Sequence, residues 1–121
     1  MPYRVLVANE LADLLGVLAH PNRIRIIEEL RDGERDVNSL QAALGISHSG
    51  VSQHLSLLRA NRLVSERRQG RQVCYHLRQP ELAAWLTEAM RFLEEESSVA
   101  EQMRKAIKKT RAAWTPDVET K

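Results

Sequence analysis

The stretch Gly45-Ile46-Ser47-His48-Ser49-Gly50-Val51-Ser52-Gln53-His54-Leu55 decides the fold. Gly45 follows an amphipathic turn, and glycine closes helices because it enters the left-handed conformation without a steric penalty. Two residues on, Ser47 offers a hydroxyl that can cap a new helix. Val51, Leu55 and Leu58 then recur at helical spacing, so this second helix runs to about Asn61. Ile46 and Val51 stand where a hydrophobic staple would fix the entry of the chain. Upstream, Asn38 is read as the cap of the preceding helix, with Gln41 completing a capping box and Val37 and Ala42 a weak staple. Leu40, Ala43 and Leu44 give that helix its inward face. Two amphipathic helices joined by about three residues that include a glycine form a helix-turn-helix.

Toward the C-terminus, Leu63-Val64 opens a short strand that reaches Arg67. Gln69-Gly70-Arg71 is a turn, and Val73, Tyr75 and Leu77 then alternate with Gln72, Cys74 and His76, the period of a half-buried strand. A hairpin placed directly after a helix-turn-helix is a wing. Toward the N-terminus, Leu11, Leu14, Leu15 and Leu18 share a helical face over residues 5–19. His20-Pro21 ends that helix, since the residue before proline avoids helical geometry. Pro21 suits the first turn of the next helix. Ile24, Ile27 and Leu30 are its expected stripe, and Asp32-Gly33 its end.

A last helix starts at Pro80, with Leu82, Leu86, Met90 and Leu93 on one face. It is read as continuing through Val99, Met103 and Ile107 to about Arg111, weakened midway by Glu94-Glu95-Glu96-Ser97-Ser98. So long a helix has little left to cover in its own chain, and a second copy is the economical partner. Leu11, Leu14, Leu86, Met90 and Leu93 are the expected dimer contacts. The fold class is mainly α with a small β-hairpin: α-α-α-α-β-β-α, dimerised through the terminal helices. Residues 1–114 form one domain and residues 115–121 a flexible tail.

The net charge of the 121 residues is only +2. Its distribution is uneven. Residues 1–46 carry five basic and seven acidic side chains, and residues 79–121 seven and eight. Residues 47–78 carry Arg59, Arg62, Arg67, Arg68, Arg71 and Arg78 against Glu66 alone, a local charge of +5. An arginine field of that kind suits a polyanion. A single cysteine, Cys74, excludes an intrachain disulfide and any multi-cysteine metal site. No apolar run approaches the roughly 20 residues of a membrane span, and a cytoplasmic protein is expected. Glycine-rich phosphate loops, nucleophile elbows and paired metal motifs are all missing, so no enzyme is expected.

Three segments together resemble the ArsR/SmtB family of dimeric bacterial repressors, over about residues 10–95. They are Leu18-Ala19-His20-Pro21-Asn22-Arg23-Ile24-Arg25-Ile26-Ile27, then Ser49 to Arg59, then Leu63-Val64 with Gly70 to Leu77. The resemblance implies that the fourth helix enters the major groove of double-stranded DNA. His48, Ser49, Ser52 and Gln53 would then face bases or phosphates, Gln53 being suited to a bidentate contact with adenine. Arg59 joins the DNA-binding set, and Arg67, Arg68 and Arg71 would be wing contacts. Ser47 is read as a cap rather than a DNA contact, and His54 as a packed histidine. A twofold dimer would space its recognition helices by about 34–36 Å and select an inverted repeat.

Metal-sensing members of that family place cysteines on the third helix, or Asp/His and His/Glu pairs on the last. Here the third helix has neither cysteine nor histidine, and the last has no histidine. No metal and no cofactor are therefore expected, and the effector is left open. Cys74 is a candidate redox switch if Arg71 and Arg78 favour its thiolate, against the plainer reading of an ordinary strand residue. A second function class, a winged helix binding an acidic protein partner, is weaker. The Ser47–Gln53 face lacks the exposed aromatics and methionines of protein interfaces.

Overall fold

The computed structural model describes residues 2–95 and 100–114. The chain divides into two compact units, Met1–Gln79 and Pro80–Lys121. The first holds α1 (Pro2–Leu18), α2 (Pro21–Glu29), β1 (Arg35–Asp36), α3 (Val37–Leu44), α4 (His48–Ala60), β2 (Val64–Gln69) and β3 (Gln72–Leu77). The second holds α5 (Glu81–Glu94) and α6 (Glu101–Trp114).

Local chemistry sets most boundaries in the first unit. His20 is extended, with φ −150° and ψ 129°, and Pro21 begins α2. The His20 imidazole caps α2 by accepting from the Asn22 backbone N–H at 3.1 Å on Nδ1. Ile26 and Ile27 are the buried residues of α2, and Leu30 is buried just past its end, while Ile24 is only half-buried. Gly45 closes α3 at φ 70°, and its N–H reaches Gln41 O at 2.9 Å. Arg25 on α2 adds a guanidinium at that end, donating to Ala43 O at 2.8 Å. A cation there complements the negative pole of the helix. Leu40, Leu44, Val51, Leu55, Leu58, Val64 and Leu77 complete the core of this unit.

The start of α3 corrects the sequence reading. Its cap is Asp36, not Asn38: Asp36 Oδ1 accepts from the Ser39 N–H at 2.8 Å. The chain reaches this point as a strand, with Asp36 at φ −88° and ψ 170°. A carboxylate capping a helix N-terminus also gains from its positive pole. Asn38 lies inside the first turn, exposed. That strand, β1, is a second feature the sequence reading lacked. The wing is therefore a three-stranded antiparallel sheet in the order β1-β3-β2, with Arg35 opposite Tyr75 and Asp36 opposite Cys74.

In the second unit one long helix was expected, and two are present. α5 ends at Glu94 and α6 begins at Glu101. Consecutive glutamates oppose the negative pole at a helix C-terminus, whereas Glu101 in the first turn of α6 complements the positive pole. The two helices pack on each other, and Glu94 on α5 pairs with Arg111 on α6. Ile107 and Trp114 are buried. Val99 and the tail expected at 115–121 lie outside the described residues. Among the described residues no helix is long and apolar enough to cross a membrane.

Candidate nucleic-acid interface

The polar face expected to meet DNA is built from the first turn of α4. Ser47 is the cap, its Oγ accepting from the Gly50 N–H at 3.0 Å. Ser49 Oγ stands 3.3 Å from Ser47 Oγ. A Cβ added to Gly50 would lie 3.2 Å from Ser47 Oγ and 3.5 Å from Ile46 Cδ1, so a larger residue there would press on the cap. Val51, Leu55 and Leu58 anchor the opposite side of the helix in the core. This division leaves His48, Ser49 and Gln53 exposed and Ser52 half-buried.

The wing turns at Gly70, where φ is 65°. Its register pairs Arg67 with Cys74, Arg68 with Val73 and Gln69 with Gln72. Successive strand residues point to opposite faces, so Arg67 and Arg68 lie on opposite faces of the wing. Arg67 shares its face with Cys74 and, across β3, with Asp36. There it meets Glu34: Arg67 Nε donates to Glu34 Oε2 at 3.1 Å, and Nη2 pairs with Oε1. The hydrogen bond from Arg67 holds the Glu34 carboxyl below its ordinary range, and Glu34 reciprocally raises the guanidinium. Beside this pair, Gln72 Nε2 donates to Asp36 Oδ2 at 2.9 Å. One carboxylate thus caps α3 and ties down the wing.

The other face joins wing to helix. Arg59 Nη1 lies 2.7 Å from Glu66 Oε1, and the Tyr75 hydroxyl donates to the same oxygen at 3.2 Å. Burial and the Glu66 charge push the Tyr75 phenol up. Among the described residues, Arg68 and Arg71 have no ion pair and both are exposed. A cleft of about 260 Å³ separates His48 from Arg71, bordered by Val73 and Tyr75.

The structure therefore brings His48, Ser49, Ser52 and Gln53 together on one side of the first two turns of α4. It divides the arginines into two kinds: Arg59 and Arg67 are held by carboxylates, while Arg68 and Arg71 have no ion pair among the described residues. The sequence reading missed both carboxylates. Glu66 was visible as the lone acid of the arginine segment. Glu34 lies 33 residues from Arg67 and had no local signal.

His54 is the packed histidine expected of it. Its ring centroid lies 4.4 Å from that of His20, and its Nδ1 is 3.4 Å from Arg23 Nη1. Burial, followed by the neighbouring His20 and Arg23, lowers the His54 pKa. Cys74 is half-buried in the middle of the sheet. Among the described residues no three His, Cys, Asp or Glu side chains converge as a metal site requires. The donors present do not fit the metal sites known in the family suggested above: α3 has no thiol or imidazole and α5 no imidazole.

Of the expected dimer contacts, Leu11 and Leu93 are exposed, while Leu14, Leu86 and Met90 are half-buried. Tyr3, Val5, Leu6, Val7 and Leu15 extend the exposed apolar surface of α1, Leu6 at 61%.

Comparison with known proteins agrees with this architecture. The family described as "Bacterial regulatory protein, arsR family" matches residues 20–66. A biofilm growth-associated repressor of Xylella fastidiosa is 39% identical over 76 residues, covering 63% of this chain and 67% of that protein. A transcriptional repressor SmtB homolog of Synechocystis sp. is 43% identical over 70 residues, 58% of this chain and 53% of that protein. The present chain thus spans little more than half of the latter. The solution structure of the homodimeric winged helix-turn-helix DNA-binding domain Mb0332 from Mycobacterium bovis superposes with a TM-score of 0.66 at 26% identity, covering 78% of this chain and 91% of that one. The first is described as a repressor, the second as a transcriptional repressor homolog, and the third as a possible ArsR-family transcriptional regulator. With this fold, this helix-and-wing geometry and these relatives, the chain belongs to the ArsR family of bacterial regulatory proteins.

Proposed function

We propose that the chain is a homodimeric repressor that reads an inverted-repeat operator in double-stranded DNA. One observation carries the reading: an exposed polar face of α4 stands beside a wing whose tip arginines, Arg68 and Arg71, have no ion pair among the described residues. Gln53 reads bases and the Ser49 and Ser52 hydroxyls meet phosphates. Arg68 and Arg71 bind backbone phosphates or the minor groove. Residues 1–114 serve as one DNA-binding and dimerisation domain in the cytoplasm. The dimer is supported by the exposed apolar face of α1 and by the homodimeric relative. The absence of suitable donors on α3 and α5 supports an effector other than a metal at those helices.

The test is a binding titration on genomic fragments at moderate salt, with random duplex as competitor. One fragment should bind well above random DNA. Gln53→Ala should lose discrimination at its base pair, by about 1–3 kcal/mol, and Arg68→Gln with Arg71→Gln should weaken all duplexes alike. Binding no better than random DNA, together with capture by an acidic protein, would favour the protein-partner reading instead.

A further inference from the structure

The second unit adds a basic surface that block-wise charge counting conceals. Residues 79–121 sum to nearly zero, but the signs separate by element. Within α6, Arg104, Lys105, Lys108, Lys109 and Arg111 stand against Glu101 alone. Arg111 pairs with Glu94 and is half-buried, as is Arg104. Lys105, Lys108 and Lys109 are exposed, and none has an ion pair among the described residues. Their spacing of i, i+3 and i+4 places all three on one helical face. Glu101 stands one turn earlier on that face, and Glu94 and Glu95 border the same shallow cavity as Lys105 and Lys108. These carboxylates reduce the field of the face without closing on any lysine. The helix lies beyond the segment matched by the family, which ends at residue 66.

We infer that this lysine face of α6 is a second, sequence-independent contact for the phosphate backbone of duplex DNA, and the inference rests on the repressor reading above. The chemistry of the face selects that occupant. Ammonium groups are compact point charges without the fork that favours a planar carboxylate, and they suit phosphates met without base readout. A lipid surface would need the apolar side of the helix to insert, yet Ile107 and Trp114 of that side are buried, leaving Met103 as its large exposed apolar residue among those described. An acidic protein would ordinarily meet aromatic or methionine anchors among the charges, and none lies between these lysines. DNA held by α4 and the wing also raises the local phosphate concentration for any further cation on the same molecule.

The experiment compares the full chain with its Lys105→Gln, Lys108→Gln, Lys109→Gln triple variant. Glutamine keeps helix propensity close to that of lysine, and far-UV circular dichroism checks the fold. Affinity for a random 40-base-pair duplex and for the best genomic fragment is measured between 50 and 200 mM salt. Three phosphate contacts correspond to a log–log salt slope of about 2.7. The wild type should therefore lose about fortyfold more affinity than the variant across that range, for each protomer engaged, and equally on both duplexes. Coincident salt slopes would overturn the inference and leave a solvated helix face. A loss confined to the genomic fragment would overturn it in favour of base readout. Loss of binding to phosphatidylserine vesicles with DNA binding unchanged would identify a membrane contact instead. If the wild type binds no duplex, the repressor reading falls as well, which separates the two failures.

Discussion

His54 shows how a single side chain couples the helix-turn-helix to its surroundings. It is partly buried, against the His20 ring and near the Arg23 guanidinium, so the folded state resists its protonation. In the unfolded chain histidine titrates near ~6.5. The unfolded state therefore takes up the proton first. The stability contributed by neutral His54 is fully present above about 6.5 and is lost as pH falls through its lower folded value. Denaturant midpoints should thus drop between pH 7.5 and 5, and His54→Asn should show a smaller drop. Equal pH dependence in both proteins would remove His54 as the cause. The histidine was legible as packed, because it adjoins Leu55 and precedes Leu58 by one turn. Its partners were not, because His20 and Arg23 meet it only once α2 crosses α4.

At the scale of elements, the recognition helix was the most legible part of the chain. Gly45, Ser47 and Gly70 act within two or three residues of themselves, and each takes the conformation its sequence context implies. Ser47→Ala should destabilise the protein by about 0.5–2 kcal/mol, the usual cost of a lost cap. DNA binding should weaken too, as the first turn of α4 frays. Both are checked by thermal melting and by titration of the variant. An unchanged melting temperature would mean that the Gly50 N–H finds another acceptor. The start of α3 was misread for a physical reason: Asn38 and Asp36 are both good caps, and only pairing of Asp36 with Cys74 on β3 decides between them. A two-residue strand leaves no periodicity to read. The break between α5 and α6 was visible as an acidic run, but whether such a run bends or ends a helix depends on what the next segment can pack against.

For the whole molecule, the exposed apolar face of α1 is an unmet demand for burial. Tyr3, Leu6, Val7, Leu11 and Leu15 are all exposed in the single chain. Covering these side chains with a partner offsets the entropic cost of association, so a dimer is expected. Sedimentation should find a dimer, and Leu11→Glu with Leu15→Glu should find a monomer that no longer binds the operator tightly. A variant that remains dimeric would place the interface elsewhere. The sequence showed this stripe plainly but could not show whether a partner from the same chain covers it.

Glu34 has a further consequence for how the wing will look in solution. Its carboxylate already sits on Arg67, so a phosphate must displace it to reach that guanidinium. Moving Arg67 from Glu34 to DNA exchanges one anion for another, so the gain of the new contact is offset by the loss of the old one. Replacing Arg67 should therefore cost less DNA affinity than replacing Arg68 or Arg71.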